Sequence, residues 1–297
     1  MLRSSVRKRF TGLHPEEAMR MVCIQNRVQR YCFFLNYARK KEHFLEKQVP
    51  FMTIYLPMCQ NFSTFAAEFM TTELLIDNRP CMVHATSEPR CLVLTTLGAH
   101  ECKDFETLAQ MIARQTSVPF VLAAFTVNDW EAELAPWTDS ALSQRPEVGT
   151  QAGATLDFVA NALLPELQGL YGSLPVILGG YSLAGLFALW AAYQQPLFAA
   201  VAAASPSVWI RGWVPFVQSH ALLTPKVYLS LGIKEEKTRN SALAQVGENI
   251  RAYHELLTHS LGEEHTTLVW HNGGHFTDCT LRLAQAIAWC LNRITTL

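Results

Sequence analysis

No apolar run of about 18 residues, the length that spans a bilayer as a helix, occurs in this 297-residue chain. The sequence therefore predicts no transmembrane helix and no membrane partner. The net charge is −1, and no basic stripe stands out beyond the N-terminus, so a nucleic acid is not the expected partner either. None of the eight cysteines stands in C-x-x-C spacing. Most lie in apolar or helical contexts and read as reduced, buried thiols, which favours the cytoplasm. Arg3, Arg7, Lys8 and Arg9 open as a signal peptide would, but no apolar core follows them. Glu16 and Glu17 argue against a transit peptide. The sequon Asn61-Phe62-Ser63 is then irrelevant. H-E-x-x-H is absent, and no internal repeat is visible.

What the chain does contain is a strand-corner-helix statement at Leu174 to Tyr193, LPVILGGYSLAGLFALWAAY. Leu174 to Leu178 suits a strand buried on both faces of a parallel sheet. Gly179 and Gly180 break it, and Leu183 to Tyr193 reads as a helix packed on that sheet. Ser182 stands at the corner, two residues after Gly180 and two before Ala184. This is the pattern of the nucleophile elbow, in which the serine is held in strained backbone and the flanking chains come too close for large side chains. The first N–H groups of the helix, beginning with Leu183, would face negative charge on a tetrahedral intermediate. The plainer alternative is a tight βα turn in which Ser182 only caps the helix.

Length allows one large α/β domain or two small ones. Residues 1–49 are basic, with helical spacing from Pro15 through Met19, Val22, Val28 and Phe33 toward Phe44. They read as a helical extension that Pro50 ends. Residues 50–297 form the second unit. It opens with strand-like runs at Met52 to Leu56, Glu73 to Ile76, Cys81 to Ala85 and Cys91 to Thr96. Helix Cys102 to Gln115, strand Phe120 to Phe125 and helix Thr155 to Leu170 precede the elbow. After it come strands Phe198 to Ala204 and Lys226 to Leu231, helix Ser241 to Leu261, strand Thr266 to Trp270 and helix Thr280 to Ile294. Such alternation predicts a mainly parallel central sheet with helices on both faces, and with the elbow at Ser182 it predicts an α/β-hydrolase fold. Asp129 to Pro146 is the least regular segment and lies on the edge where such folds bind ligands.

A serine nucleophile needs a base, and the base needs an orienting carboxylate, in the chain order Ser, acid, His. After strand Thr266 to Trp270 comes His271-Asn272-Gly273-Gly274-His275-Phe276, whose glycines would let His275 swing over the elbow. His275 is the expected base, and His271 the alternative. As a metal pair the two histidines lack the glutamate and the helix. For the acid, Glu235 is the first choice and Glu236 the second. A solvated charge cluster with Lys234, Lys237 and Arg239 is the competing reading, and it would leave a Ser-His dyad. Trp130, Trp137, Trp209 and Trp213 are candidates for an acyl pocket, or plain packing.

With these residues in place the chain resembles the esterase D and enterochelin-esterase-like branch of the α/β-hydrolases over about residues 70–297. The resemblance is carried by Gly180-Tyr181-Ser182-Leu183-Ala184-Gly185-Leu186-Phe187-Ala188-Leu189, Ala204-Ser205-Pro206-Ser207-Val208-Trp209, Leu231-Gly232-Ile233-Lys234-Glu235-Glu236 and Gly273-Gly274-His275-Phe276. Ala184 stands where relatives more often carry glycine, and Ile233 where they often carry aspartate. The resemblance implies hydrolysis of a small-molecule carboxylic ester or thioester without a cofactor. It also implies an acid three residues after a strand-ending glycine, which is Glu235, and a second oxyanion N–H from the turn Leu97-Gly98-Ala99, entered here at Gly98. The expected function is therefore a serine esterase with Ser182, Glu235 and His275 catalytic. An acyltransferase or peptidase using the same groups, or a non-catalytic binding module, is the alternative.

Overall fold

The computed structural model describes residues 71–98 and 102–294. The extension expected over 1–49 and the strand expected at Met52 to Leu56 lie outside the described residues. Eight strands make one sheet: β1 (Thr71–Ile76), β2 (Arg79–Ala85), β3 (Leu92–Gly98), β4 (Val121–Val127), β5 (Val176–Tyr181), β6 (Ala200–Ala204), β7 (Val227–Gly232) and β8 (Thr266–His271). Their order is β1-β2-β4-β3-β5-β6-β7-β8, and β2 alone runs against the others. Asp77 and Asn78 turn β1 into β2 with φ of 47° and 61°, the left-handed pair that a two-residue hairpin asks for and that these side chains tolerate.

Nine helices are described: α1 (Cys102–Ala113), α2 (Trp130–Leu134), α3 (Ala152–Phe158), α4 (Leu164–Tyr171), α5 (Leu183–Gln194), α6 (Trp213–Ser219), α7 (Ser241–Ala244), α8 (Val246–Leu261) and α9 (Cys279–Ile294). Side-chain alternation along the strands divides the interior into two cores. Leu92, Leu94 and Leu178 belong to the core that α5 and α8 cover, whereas Val93, Ile177 and Ala202 belong to the one under α1 and α9. Both faces are thus buried, which is why β4, β6 and β7 read as nearly unbroken apolar runs. Among the described residues no helix is long and apolar enough to cross a membrane.

Several boundaries differ from the sequence reading, each for a local reason. β5 does not stop at Leu178 but runs through both glycines to Tyr181. Gly179 is there for close packing, since a Cβ on it would sit 3.3 Å from Ile287 of α9. The helix expected over 155–170 extends from Ala152 to Tyr171, with a π-helical turn at Val159–Leu163 between α3 and α4. The helix expected over 241–261 is split at Gln245, whose N–H turns back to the Ala242 carbonyl at 3.3 Å; Asn240 caps the first piece, α7. Asp129 to Pro146 is less irregular than expected: Asp129 caps α2, and Arg145 returns to bind the carboxylates of Asp129 and Glu131 at 2.8 and 2.9 Å. That contact lowers the Asp129 carboxyl to about 2.

Candidate active site

Ser182 follows the last residue of β5 at φ 58° and ψ −119°, a region that costs a non-glycine residue of order 1–3 kcal/mol. Its backbone is fixed from both sides. The N–H donates to the Ala204 carbonyl, and the carbonyl accepts from Leu186 N–H and Ser207 N–H, all at 3.0 Å. The need for small neighbours is geometric: a Cβ on Gly180 would lie 2.3 Å from the Ala184 carbonyl group. Ser182 precedes α5, but its hydroxyl makes no capping bond. It points to the imidazole of His275, with Oγ 2.9 Å from Nε2.

His275 arrives on the loop between β8 and α9. Gly273 in that loop has φ of 103°, and a Cβ there would strike the Thr277 side chain, so the loop needs glycine at this point. Nδ1 of His275 is 2.7 Å from Oε2 of Glu235. Because an ionised carboxylate only accepts, Nδ1 carries the proton and Nε2 is left to accept from Ser182 Oγ–H. Tyr181 Oη donates to the His275 carbonyl, and its ring and that of Phe276 flank the imidazole at 5.4 and 5.1 Å.

Glu235 opens a short 3₁₀ turn (Glu235–Lys237) directly after β7. It is 9% exposed, so it is not a member of a solvated charge cluster. Its Oε1 accepts from Gly232 N–H at 2.7 Å, Ser205 Oγ–H at 2.9 Å and Arg282 Nη1–H at 3.1 Å. Burial by itself would push this carboxyl up, but the hydrogen bonds from His275, Gly232 and Ser205 outweigh it and hold the group below the ordinary glutamate value. Glu236 turns the other way and pairs with Arg251 at 2.8 Å. His271, the alternative base, sits at the end of β8, where burial pushes its imidazole down. Its Nε2 meets no hydrogen-bond partner among the described residues.

Four polar groups at this centre were given no role by the sequence reading: Tyr181, Ser205, Ser207 and Arg282. Ser207 Oγ lies 3.3 Å from Ser182 Oγ. With the Ser182 proton engaged on His275, the Ser207 hydroxyl is the donor to Ser182. Ser205, at φ 43°, extends the strained corner of β6 beneath Glu235. Arg282 is 1% exposed. A signal for it exists in the sequence, since Arg282 stands four and eight residues before Ala286 and Cys290 on the buried stripe of α9.

A cavity of about 390 Å³ opens beside Ser182 and His275, lined by Leu97, Phe105, Leu108, Leu283, Trp130 and Phe276. Asp104 is the only carboxylate among the described lining residues. Of the four tryptophans weighed as pocket candidates, Trp130 is the one that lines it. Trp137 and Trp213 pack on Phe216, and Trp209 packs against the core. Leu183 N–H opens α5, where the first N–H groups have no partner within the helix. Gly98 closes β3, and the turn beyond it, residues 99–101, lies outside the described residues. No group of three or more His, Cys, Asp or Glu among the described residues is placed to hold a metal ion.

The parallel sheet with a serine at the β5–α5 corner defines the molecule as an α/β-hydrolase in fold. Residues 100–286 match the model of the esterase family, described as "Putative esterase"; the chain belongs to that family and, with it, to the carboxylic ester hydrolases. No curated protein sequence matches the chain. Among solved structures it is similar to an IroE-like serine hydrolase from Shewanella oneidensis, with a TM-score of 0.57 and 17% identity over 74% of this chain and 79% of that one. It is also similar to the siderophore hydrolase EstA from Aspergillus nidulans, with a TM-score of 0.55 and 19% identity over 77% and 96% of the two chains. The enterobactin esterase FES from Shigella flexneri gives 0.51 and 18%, over 75% of this chain and 59% of that one. At these identities the likeness is one of fold.

Proposed function

We propose that this esterase works through an acyl-enzyme on Ser182. The observation that carries the reading is the unbroken chain of hydrogen bonds from Ser182 Oγ through His275 to Glu235, at 2.9 and 2.7 Å. Ser182 attacks the ester carbonyl as His275 Nε2 takes its proton, and the imidazolium then returns that proton to the leaving alcohol. Water, deprotonated in turn by His275, releases the acid. Glu235 keeps the imidazole in the accepting tautomer and stabilises its charged form. The Leu183 N–H at the start of α5, with a second from the turn at Gly98, would hold the oxyanion. The mostly apolar lining of the cavity, with Asp104 as the one carboxylate among its described residues, supports an uncharged acyl group in a carboxylic ester or thioester.

The test is labelling by a fluorophosphonate, which reacts only with an activated serine, alongside initial rates on nitrophenyl esters of increasing acyl length and one thioester. Ser182 is expected to carry the label, and Ser182→Ala to lose both label and turnover. Hydrolysis that survives in Ser182→Ala would remove Ser182 from the mechanism.

A further inference from the structure

Arg282 projects from the first turn of α9 into the end of the sheet, where its guanidinium is wholly enclosed. Four terminal N–H groups face five oxygens. Nη1 lies 3.1 Å from Glu235 Oε1, 3.3 Å from Ser205 Oγ and 3.4 Å from Tyr181 Oη. Nη2 lies 3.1 Å from each of the carbonyl oxygens of Asn272 and Gly274. These oxygens belong to the ends of β5 and β6, to the turn after β7, and to the loop that carries His275. One side chain therefore ties the carboxylate to the loop of the histidine it contacts.

We propose that Arg282 is a positioning residue for ester hydrolysis, fixing the 272–274 loop against Glu235 so that His275 stays seated between Glu235 and Ser182. The proposal rests on the reading of Ser182, His275 and Glu235 given above. Two glycines in succession leave the loop many conformations of similar energy, and the two Nη2 bonds select one of them. Only a planar fork can do this, because a lysine ammonium is a single point and cannot reach the carboxylate and both carbonyls together. The guanidinium also offsets part of the Glu235 charge, with Nη1 3.1 Å from Oε1. The other titratable groups facing the pair are Tyr181 at the end of β5, Cys279 on α9, His271 at the end of β8 and Asp278 before α9. Burial pushes the Tyr181 phenol up and the His271 imidazole down, so neither replaces the cation at neutral pH.

The experiment compares wild type, Arg282→Lys and Arg282→Met on nitrophenyl acetate across the pH range of activity, with rates expressed per fluorophosphonate-titratable site. Arg282→Lys keeps the charge and loses the fork: kcat should fall about tenfold with KM within about twofold. Arg282→Met loses both: kcat should fall about a hundredfold, again with KM within about twofold. If Arg282→Met does not fold, the kcat-against-KM split of Arg282→Lys decides. A Lys variant with wild-type kcat overturns the proposal, as does a Met variant with wild-type kcat per titrated site. Wild type that does not label at Ser182 overturns the reading of the site and this proposal with it, whereas labelled wild type with indifferent Arg282 variants overturns this proposal alone.

Discussion

Replacing Glu235 by glutamine changes one charge and almost no volume, and the geometry says which way the amide must lie. Three donors converge on Oε1, from Gly232, Ser205 and Arg282. The glutamine carbonyl therefore takes that position, and its NH₂ is left facing His275 Nδ1 across the 2.7 Å now spanned by a charge-assisted bond. Two donors cannot face each other at that distance. The imidazole must shift its proton to Nε2, the nitrogen 2.9 Å from Ser182 Oγ, and there it can no longer accept from the serine. The loss of the correct tautomer in an equivalent arrangement is worth as much as ~10⁴ in kcat, or about 5 kcal/mol at the transition state. We expect Glu235→Gln to lower kcat at least about a hundredfold and toward that limit, with KM little changed. Initial rates on nitrophenyl acetate read this directly. Stability should follow a defined pH course in the same variant. The folded Glu235 carboxyl lies below its unfolded value, so its contribution is complete above about pH 4.3 and is lost as pH falls through the folded value. The melting temperatures of wild type and Glu235→Gln should therefore differ most near neutrality and converge in acid. A variant that kept more than about a tenth of wild-type kcat would refute the tautomer argument.

Glu236→Gln, which loses only the Arg251 pair at a half-exposed site, should change kcat less than about threefold in the same assay. Ser182→Gly should be inactive but more stable, because glycine accepts φ 58° without strain; about 1 kcal/mol corresponds to a rise of about 2–4 °C in a thermal melt, and an unchanged or lower Tm would contradict the strain. Phe276 is 91% exposed at the cavity rim, so Phe276→Ala should raise KM for longer acyl esters and leave kcat on acetate near wild type; a matching fall in both would place the ring in the chemistry instead. Removing residues 1–49 should leave turnover of small esters largely unchanged, since every group proposed for the site lies beyond position 90. A folded, soluble truncation without activity would move that boundary.

The elbow was legible because sterics dictate its spacing. Gly180 and Ala184 can be read from sequence alone, and the 2.3 Å approach behind them is the reason. The parallel order of β5 to β8 followed from alternation of apolar runs and helices in the same way. Choosing between Glu235 and Glu236 had no such support. Two adjacent carboxylates in one short turn have no periodicity to separate them, and their partners, His275 and Arg251, lie 40 and 15 residues downstream. Arg282 went unnoticed because an arginine beside Leu281 and Leu283 looks like an ordinary surface residue. Only its register with Ala286 and Cys290 marks it as inward. Gly179 was misread as a strand breaker because a glycine required for close helix packing and one that ends a strand look alike in sequence.

The guanidinium at position 282 is also the last of these groups to leave the ribosome. Ser182, Ser205, Glu235 and His275 all precede it, and Ile287, Cys290 and Leu291, which seat α9 on the sheet, come later still. A nascent or prematurely ended chain thus carries Ser182, Glu235 and His275 before it carries the arginine that touches their loops. If Arg282 positions the loop as proposed, such a fragment would hold no ordered site until α9 docks.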